Sequence, residues 1–272
     1  MLPPVLDHAW LQHHRGEVVL ADVRWYLDGR SGPAAYTDGH LPGAVFVDLE
    51  ECLAGPGGPQ VGRHPLPEPT VFADAMAGLG IGEQDTVIAY DDAGGTVAAR
   101  LVWMLRATGH AAALLDGGIT AYPGELEQRT PVRKPAVFTP RPWPTDQLAD
   151  IDAAADQANT VLDARAPERY RGEEEPIDAR AGHIPGARSL PCRGNLAEDG
   201  RFLPVDELRR RFAEAGVEQG ASVVSYCGSG VTACHNLLAL EFTGLARGRL
   251  YPGSWSQYSH MSSRPMATGS AP

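Results

Sequence analysis

Short, mostly apolar runs recur along the chain between longer segments with helical spacing of apolar positions. Such runs are typical of buried parallel strands, and they lie at residues 18–23, 87–90, 161–164 and 223–226. The helix-like segments lie at residues 70–79, 96–108, 206–215 and 232–243, and each is followed by a glycine suited to a helix C-terminus. Strands that alternate with helices in this way predict α/β sandwiches.

The two halves of the chain repeat the same pattern. A strand ending in Asp-x-Arg occurs at residues 22–24 and again at 163–165, and a His-x-Pro-Gly-Ala turn occurs at 40–44 and again at 183–187. Farther along, the separation between matching positions is constant for Tyr90 with Tyr226, Thr96 with Thr232 and Tyr122 with Tyr258. Constant separation of this kind indicates a duplicated domain.

A stretch rich in proline and arginine, residues 126–144, separates the two halves. Its composition is that of an interdomain linker. We therefore expect an N-terminal domain over residues 1–125 and a C-terminal domain over residues 145–272.

Composition narrows the possible partners and the location. The formal net charge of −11 disfavours nucleic acid and anionic membrane surfaces, although local arginines can still bind a small anion. The N-terminal stretch lacks the pattern of a secretory signal, and no segment approaches a membrane span. The four cysteines show neither zinc-site spacing nor a disulfide framework. We predict a cytoplasmic protein with reduced thiols that has no metal or organic cofactor.

Residues 227–233 join a predicted strand to a predicted helix, which is where open α/β sheets bind ligands. Gly228 and Gly230 allow consecutive backbone N–H groups to point inward, and the helix adds its positive N-terminal end. An anion is stabilised there. This environment favours the thiolate of Cys227 and would also hold a persulfide, so Cys227 is the predicted nucleophile.

These motifs, together with the sequence Gly-Ser-Trp at residues 253–255, resemble the tandem-domain rhodanese family and in particular its mercaptopyruvate branch. The resemblance implies an α/β fold of two tandem rhodanese-like domains, each a mainly parallel sheet flanked by helices. It also implies a non-catalytic N-terminal domain and a catalytic C-terminal one. Asp91 stands where the repeat would place the nucleophile, and a carboxylate there cannot form a persulfide. Its expected role is to cap the following helix.

The resemblance implies a sulfurtransferase that moves sulfur from 3-mercaptopyruvate through a Cys227 persulfide to a thiol, a thioredoxin-like protein or cyanide. Thiosulfate-preferring relatives carry basic residues after the cysteine, whereas Gly228 and Ser229 are neutral. Arg169 matches one carboxylate-binding arginine of the family. Family spacing for the second arginine falls on Asp178, so that role is carried to Arg180. Planar guanidinium groups suit a carboxylate because two parallel donors match its two oxygens.

The resemblance also implies a proton relay of Ser229, His64 and Asp48, with histidine suited to it by its near-neutral pKa. The loop residues assigned to donor binding by position are Gly228, Gly230, Val231 and Thr232. The histidines of the paired turns, at positions 40 and 183, are expected to be structural because their Pro-Gly neighbours mark a turn.

Alternative functions stay open to different degrees. Thiosulfate as the donor keeps the same persulfide chemistry, and a non-catalytic regulatory or sulfur-carrier module is the alternative from a different class. The loop also fits a dinucleotide-binding glycine pattern, but the acidic residue expected after the next strand is missing. A cysteine-dependent phosphatase would need an arginine where Ala233 stands. Cys52 and Cys192 are expected to be structural. Cys234 is expected to face the core, with a resolving role after oxidation as the alternative.

Overall fold

The computed structural model describes residues 2–272 and divides into two compact units. Unit 1 comprises the chain up to Gly55 together with Pro67–Trp143 and Leu196–Phe202. Unit 2 comprises Pro56–Leu66, Pro144–Asn195 and Leu203–Pro272. The units therefore do not follow the order of the chain strictly, because each contains one short segment from the other half of the sequence. Within residues 2–272 no helix is both long and apolar enough to cross a membrane.

Unit 1 contains five strands and five helices among the described residues. In chain order they are β1 (Val5–Leu6), α1 (His8–His14), β2 (Val18–Asp22), α2 (Gly32–Asp38), β3 (Val45–Phe46), α3 (Leu49–Cys52), α4 (Pro69–Gly78), β4 (Thr86–Tyr90), α5 (Ala99–Ala107) and β5 (Ala112–Leu115).

The sheet of unit 1 is parallel throughout, in the order β1-β5-β4-β2-β3. Its middle strand β4 is buried from Val87 to Tyr90, which explains why that run is continuously apolar. Leu20, Ile88 and Leu115 from three strands form part of one hydrophobic core cluster. Burial of both faces of the sheet therefore sets the sequence pattern of its strands.

Unit 2 contains four strands, four α-helices and two short 3₁₀ helices among the described residues. They are the 3₁₀ helix Thr145–Gln147, β6 (Thr160–Asp163), α6 (Pro167–Arg171), β7 (Arg188–Ser189), the 3₁₀ helix Cys192–Asn195, α7 (Val205–Glu214), β8 (Val223–Tyr226), α8 (Ala233–Thr243), β9 (Arg249–Leu250) and α9 (Ser254–Tyr258).

The sheet of unit 2 is also parallel, in the order β7-β6-β8-β9. Val161 of β6 and Val224 of β8 pack in one core cluster with Trp255 and Tyr258 of α9. The strands β6 and β8 end side by side, since Asp163 pairs in register with Tyr226. The residues that follow them lie beyond the same edge of the sheet.

The predicted elements agree with the observed ones to within a few residues, and the predicted α/β fold of two parallel sheets is confirmed. The largest shift is at α5, which begins at Ala99 instead of Thr96. The Asp91 carboxylate accepts the N–H groups of Val97 and Ala98, so this stretch forms a turn around the carboxylate before the helix starts. The four predicted terminal glycines all have positive φ, between 72° and 83°, as helix C-termini require.

Candidate active site

Cys227 lies directly after β8 and before α8, at the carboxyl end of the sheet of unit 2. Its side chain is buried, and the N–H of Gly230 donates to its sulfur across 3.1 Å. The backbone of Cys227 is held at both ends, because its N–H donates to Ser254 Oγ at 3.2 Å and its carbonyl accepts the N–H of Trp255 at 3.0 Å. A thiolate at this position would have an amide donor already in place.

The turn around the sulfur requires glycine at position 230. Gly230 has φ +79°, and a Cβ there would lie 2.6 Å from the carbonyl oxygen of Pro252. Gly228 accepts the N–H of Ser256 at 2.8 Å, which fixes the other side of the loop. Val231 is buried and Thr232 is the residue that precedes α8. The loop is thus shaped by backbone contacts with the segment that follows β9.

Ser254 shapes the site although sequence reasoning did not single it out for a role. It is the only non-glycine residue with positive φ among residues 2–272, at +51°. Its buried hydroxyl donates to the carbonyl of Tyr251 at 2.9 Å while it accepts from Cys227 N. Such strained backbone costs on the order of 1–3 kcal/mol and clusters at functional sites. The Gly-Ser-Trp motif was visible in the sequence, but the conformation of its serine was not.

His64 and Ser229 are in contact, as the relay hypothesis requires. His64 Nδ1 lies 2.8 Å from Ser229 Oγ, and the two residues are 5% and 8% exposed. His64 belongs to unit 2 because the segment Pro56–Leu66 packs there. The hydrogen bond sits one residue away from Gly230, whose N–H reaches the sulfur.

Asp48, the third predicted relay residue, belongs to unit 1. Its carboxylate accepts the N–H groups of Glu50 at 2.8 Å and Glu51 at 3.1 Å and so caps α3. This capping role is typical of aspartate at a helix N-terminus. Participation of Asp48 in a relay stays a prediction.

Arg169 of α6 lies against the nucleophile loop. Its Nη1 would be 3.3 Å from a Cβ placed on Gly228, so the guanidinium borders the space beside that glycine. Its Nη2 donates to Glu175 Oε1 at 2.7 Å and to Asp178 Oδ2 at 2.8 Å. The predicted position of Arg169 next to Cys227 is consistent with this geometry.

The assignment of donor binding to Arg180 is corrected by its contacts. Its guanidinium donates at 2.7–3.1 Å to four backbone carbonyls, those of Tyr258, Ser259, Met261 and Arg264. Four of the five N–H donors of an arginine are thereby used to hold the turns that follow α9. Arg180 is a structural clamp of unit 2.

A second guanidinium beside the loop comes from Arg63, which sequence reasoning missed. Its Nη2 would lie 3.0 Å from a Cβ on Gly228, and its Nη1 forms an ion pair with Asp178. The side chain of Asp178 is 1% exposed. Burial raises the pKa of Asp178 above its ordinary value, and the charges of Arg63 and Arg169 oppose that shift. The signal in the sequence was the aspartate at a position where an arginine was expected.

A structural role for the other three cysteines stays a prediction. Burial raises the pKa of Cys192 to about 12 and that of Cys52 to about 11. The thiol of Cys234, inside α8, donates to the carbonyl of Gly230 at 3.4 Å. All four cysteines are free thiols.

The sequence model of the Rhodanese-like domain matches the chain twice, at residues 6–125 and at residues 145–261. The chain belongs to the rhodanese family. This confirms the predicted resemblance, and the two rhodanese matches account for the duplication seen in the sequence.

Relatives within the rhodanese family cover nearly the whole chain. A protein of Pseudomonas aeruginosa described as a probable 3-mercaptopyruvate sulfurtransferase is 43% identical over 93% of both chains. One of Mycobacterium tuberculosis described as a putative thiosulfate sulfurtransferase is 41% identical over 93% of this chain and 92% of its own. The solved structure of 3-mercaptopyruvate sulfurtransferase from Leishmania major superposes with a TM-score of 0.87 at 30% identity, and covers 97% of this chain and 76% of that one.

The first rhodanese repeat has a carboxylate where the second has Cys227, the predicted nucleophile. Asp91 is fully buried, and its two oxygens accept the N–H groups of Ala93, Gly95, Val97 and Ala98 at 2.7–2.9 Å. Two of these donors, Val97 and Ala98, lie just before α5, so Asp91 holds the turn that leads into the helix. The helix itself begins after Ala98 without a side-chain cap, so the predicted capping role is displaced to the preceding turn. A rhodanese loop whose amides already bind a carboxylate has no thiol with which to carry sulfur.

Proposed function

We propose that this chain is a sulfurtransferase that takes sulfur from 3-mercaptopyruvate onto Cys227 and passes it to a thiol or cyanide. The relatives named above are sulfurtransferases by description, and they differ in the donor that their names carry. The observation that carries the choice of donor is the surroundings of Gly228. Two guanidinium groups border it, and the adjacent Ser229 is hydrogen-bonded to His64.

In the first step the Cys227 thiolate attacks the sulfur of mercaptopyruvate. The new S–S bond forms as the C–S bond breaks, and the electron pair of that bond passes to carbon as the enolate of pyruvate. Ser229 and His64 carry the proton lost by the Cys227 thiol to the enolate carbon, which gives pyruvate. Arg169 holds the donor carboxylate beside the loop.

In the second step the acceptor attacks the outer sulfur of the persulfide. The S–S bond breaks, the acceptor keeps the sulfur, and Cys227 returns as a thiolate. Cyanide would leave as thiocyanate, and a thiol, of a small molecule or of a thioredoxin-like protein, would leave as its own persulfide. The amide of Gly230, which donates to the sulfur at 3.1 Å, supports the thiolate at the start and at the end of the cycle.

We also propose that the two domains differ in role and that the protein is cytoplasmic. Residues 145–272 supply the nucleophile. Residues 1–125 are a rhodanese-like domain without a nucleophile of its own, because Asp91 occupies the equivalent loop, and they contribute His64 through the segment Pro56–Leu66 that belongs to unit 2. Four free thiols suit a cytoplasmic, reducing environment.

The test compares kcat/KM for 3-mercaptopyruvate and thiosulfate with cyanide as acceptor, and records the intact mass after incubation with each donor alone. We expect a preference for mercaptopyruvate and the addition of one sulfur atom per chain. A preference for thiosulfate with the same mass gain would reassign the donor, which is the alternative that the name of the M. tuberculosis relative supports. Absence of sulfur uptake from both donors would contradict the enzyme and favour a regulatory module.

A further inference from the structure

The carboxylate site beside Cys227 lacks its second family arginine in the expected place. Asp178 occupies that position, and a carboxylate repels a carboxylate donor. Arg180 lies two residues after Asp178. Its guanidinium donates hydrogen bonds to backbone carbonyls of unit 2 instead. A second cation must therefore come from elsewhere in the chain if the site is to hold its donor by two guanidinium groups.

Arg63 lies at this place because the segment that leads up to it is anchored to the residues after β9. Just before it, Gly62 packs with φ +89° so close to the carbonyl of Gly253 that a Cβ would lie 2.5 Å from the oxygen. The N–H of Arg63 itself donates to Ser256 Oγ at 3.0 Å, and Gln257 Nε2 donates to the carbonyl of Gln60 at 2.6 Å. The backbone of Arg63 is thus attached to α9, and α9 is hydrogen-bonded to the loop that contains Cys227.

The two guanidinium groups present their remaining donors to the loop. Arg63 uses Nη1 for Asp178, and Arg169 uses Nε and Nη2 for Glu175 and Asp178. Nη2 of Arg63 and Nη1 of Arg169 are among the nitrogens that these bonds leave over. These are the nitrogens nearest to Gly228, at 3.0 and 3.3 Å from the position of a Cβ there.

We infer that Arg63, together with Arg169, forms the carboxylate-binding site for the sulfur donor, and that Asp178 holds Arg63 in place and limits the positive charge of the site. This inference rests on the proposed function and names the residues that select the donor. The ion pairs at this site link three guanidinium groups to three carboxylates, because Arg165 also bonds Glu175 and Asp163. The carboxylates of Glu175 and Asp178 are both at most 4% exposed. A site that is balanced in this way accommodates one donor charge more readily than two, so mercaptopyruvate is favoured over the thiosulfate dianion.

The experiment uses the full chain, cyanide as acceptor and three donors, namely 3-mercaptopyruvate, thiosulfate and mercaptoacetone, which has a methyl group in place of the carboxylate. Arg63→Ala is expected to lower kcat/KM for mercaptopyruvate by about 10- to 100-fold, mainly through KM, because a charge-assisted hydrogen-bond pair is lost. The rate with mercaptoacetone should stay within about twofold of wild type, since that donor never used the site. For Arg63→Lys we expect a kcat/KM for mercaptopyruvate between those of wild type and Arg63→Ala, because lysine keeps the charge and loses the planar guanidinium.

The matched control is Arg210→Ala, at an exposed arginine of α7 whose only salt-bridge partner among the described residues is Glu207 at 4.0 Å. It should leave the rates with all three donors unchanged. Asp178→Asn should raise the ratio of thiosulfate to mercaptopyruvate kcat/KM by about tenfold, because one negative charge is removed from the site. An unchanged ratio would overturn the charge-limiting role of Asp178.

The results separate this inference from the proposed function. If wild type takes sulfur from mercaptopyruvate while Arg63→Ala behaves like wild type, or loses all donors equally, the role of Arg63 is wrong and the enzyme assignment stands. If wild type takes no sulfur from any donor, the proposed function fails and this inference fails with it. A selective loss of mercaptopyruvate turnover in Arg63→Ala, with mercaptoacetone spared, supports both.

Discussion

The loops after β4 and β8 share one backbone design and differ in what it holds. Each follows a tyrosine that ends the strand, and the hydroxyl groups of Tyr90 and Tyr226 accept the N–H of Leu41 and Ile184. At the same register both loops have a left-handed glycine, Gly94 at +71° and Gly230 at +79°. The two loops therefore share a tyrosine contact at the strand end and a left-handed glycine at the same register.

The occupant of the loop decides its chemistry. In unit 1 four N–H groups donate to the Asp91 carboxylate, whereas in unit 2 the N–H of Gly230 donates to the Cys227 sulfur. A carboxylate attached to the loop satisfies the amides permanently, which stabilises the fold. A thiolate can accept a second sulfur and release it again. The same type of turn therefore stabilises the fold when it carries Asp91 and can carry sulfur when it holds Cys227.

The surrounding scaffold is alike in the two units. Asp22 with Arg24 and Asp163 with Arg165 make the same paired hydrogen bonds, each with a shortest contact of 2.7 Å. The turn histidines also correspond, since His40 stacks on Tyr36 and His183 stacks on Tyr170. Nδ1 of each turn histidine donates to a backbone carbonyl of its own unit, that of Tyr36 for His40 and that of Tyr170 for His183. The difference in function is thus confined to the loop and its immediate neighbours.

Removal of the reactive occupant should have the largest effect. Cys227→Ser is expected to lower sulfur transfer by about three orders of magnitude or more, because a serine hydroxyl cannot form the persulfide. Intact mass after donor alone should show no added sulfur, while the thermal midpoint stays close to that of wild type. Cys52→Ser, at a half-buried thiol of unit 1, is the control and should keep wild-type uptake. Turnover retained by Cys227→Ser would contradict the persulfide mechanism.

Loss of the hydrogen bond between Ser229 and His64 should have the second-largest effect on activity. Ser229→Ala removes the hydrogen bond to His64 Nδ1 at 2.8 Å, and we expect kcat for mercaptopyruvate to fall by about 100-fold, in line with the contribution of a positioned proton donor. Because the thiosulfate reaction releases sulfite and forms no enolate, its rate should fall much less. Equal losses with both donors would show that Ser229 shapes the loop and does not move a proton.

Removal of the Asp91 carboxylate tests whether the loop of unit 1 stabilises the fold. Asp91→Ala leaves four N–H groups without their acceptor, and we expect the free energy of unfolding to fall by about 3 kcal/mol or more in urea titration. Asp74→Ala, at an exposed position of α4, is the control and should change stability by less than about 0.5 kcal/mol. A change as small as that in the Asp91 variant would mean that the carboxylate does not hold the loop.

The smallest predicted effect concerns the charge of the second loop. Ser229→Lys places a cation next to the nucleophile, and we expect the ratio of thiosulfate to mercaptopyruvate kcat/KM to rise by about tenfold because thiosulfate carries the larger charge. Both rates are measured with cyanide on the same preparation. A ratio that does not move would refute the argument from the neutral Gly228 and Ser229.

The sequence alone was sufficient for much of this protein. The duplication, the strand and helix positions, the nucleophile loop and the non-reactive Asp91 all follow from local patterns, because apolar runs, glycine caps and strand-to-helix turns are set by neighbouring residues. His64 and Ser229 were paired by family resemblance, and the structure places them in hydrogen-bond contact. Local patterns and the family resemblance were therefore enough to predict the Cys227 loop and the pairing of His64 with Ser229.

The tertiary structure decided which arginines surround the Cys227 loop. Arg63 is separated from Asp178 by 115 residues and from Ser256 by 193, so no local pattern could connect them. Arg180 lies in the expected stretch of chain, but its guanidinium points to backbone carbonyls that only the fold brings near. Charged side chains are long and take the partners that packing offers, whereas backbone turns are fixed by the residues within them. The sequence accordingly determined the loop and its cysteine, and the packing of Pro56–Leu66 onto unit 2 determined the charges that face it.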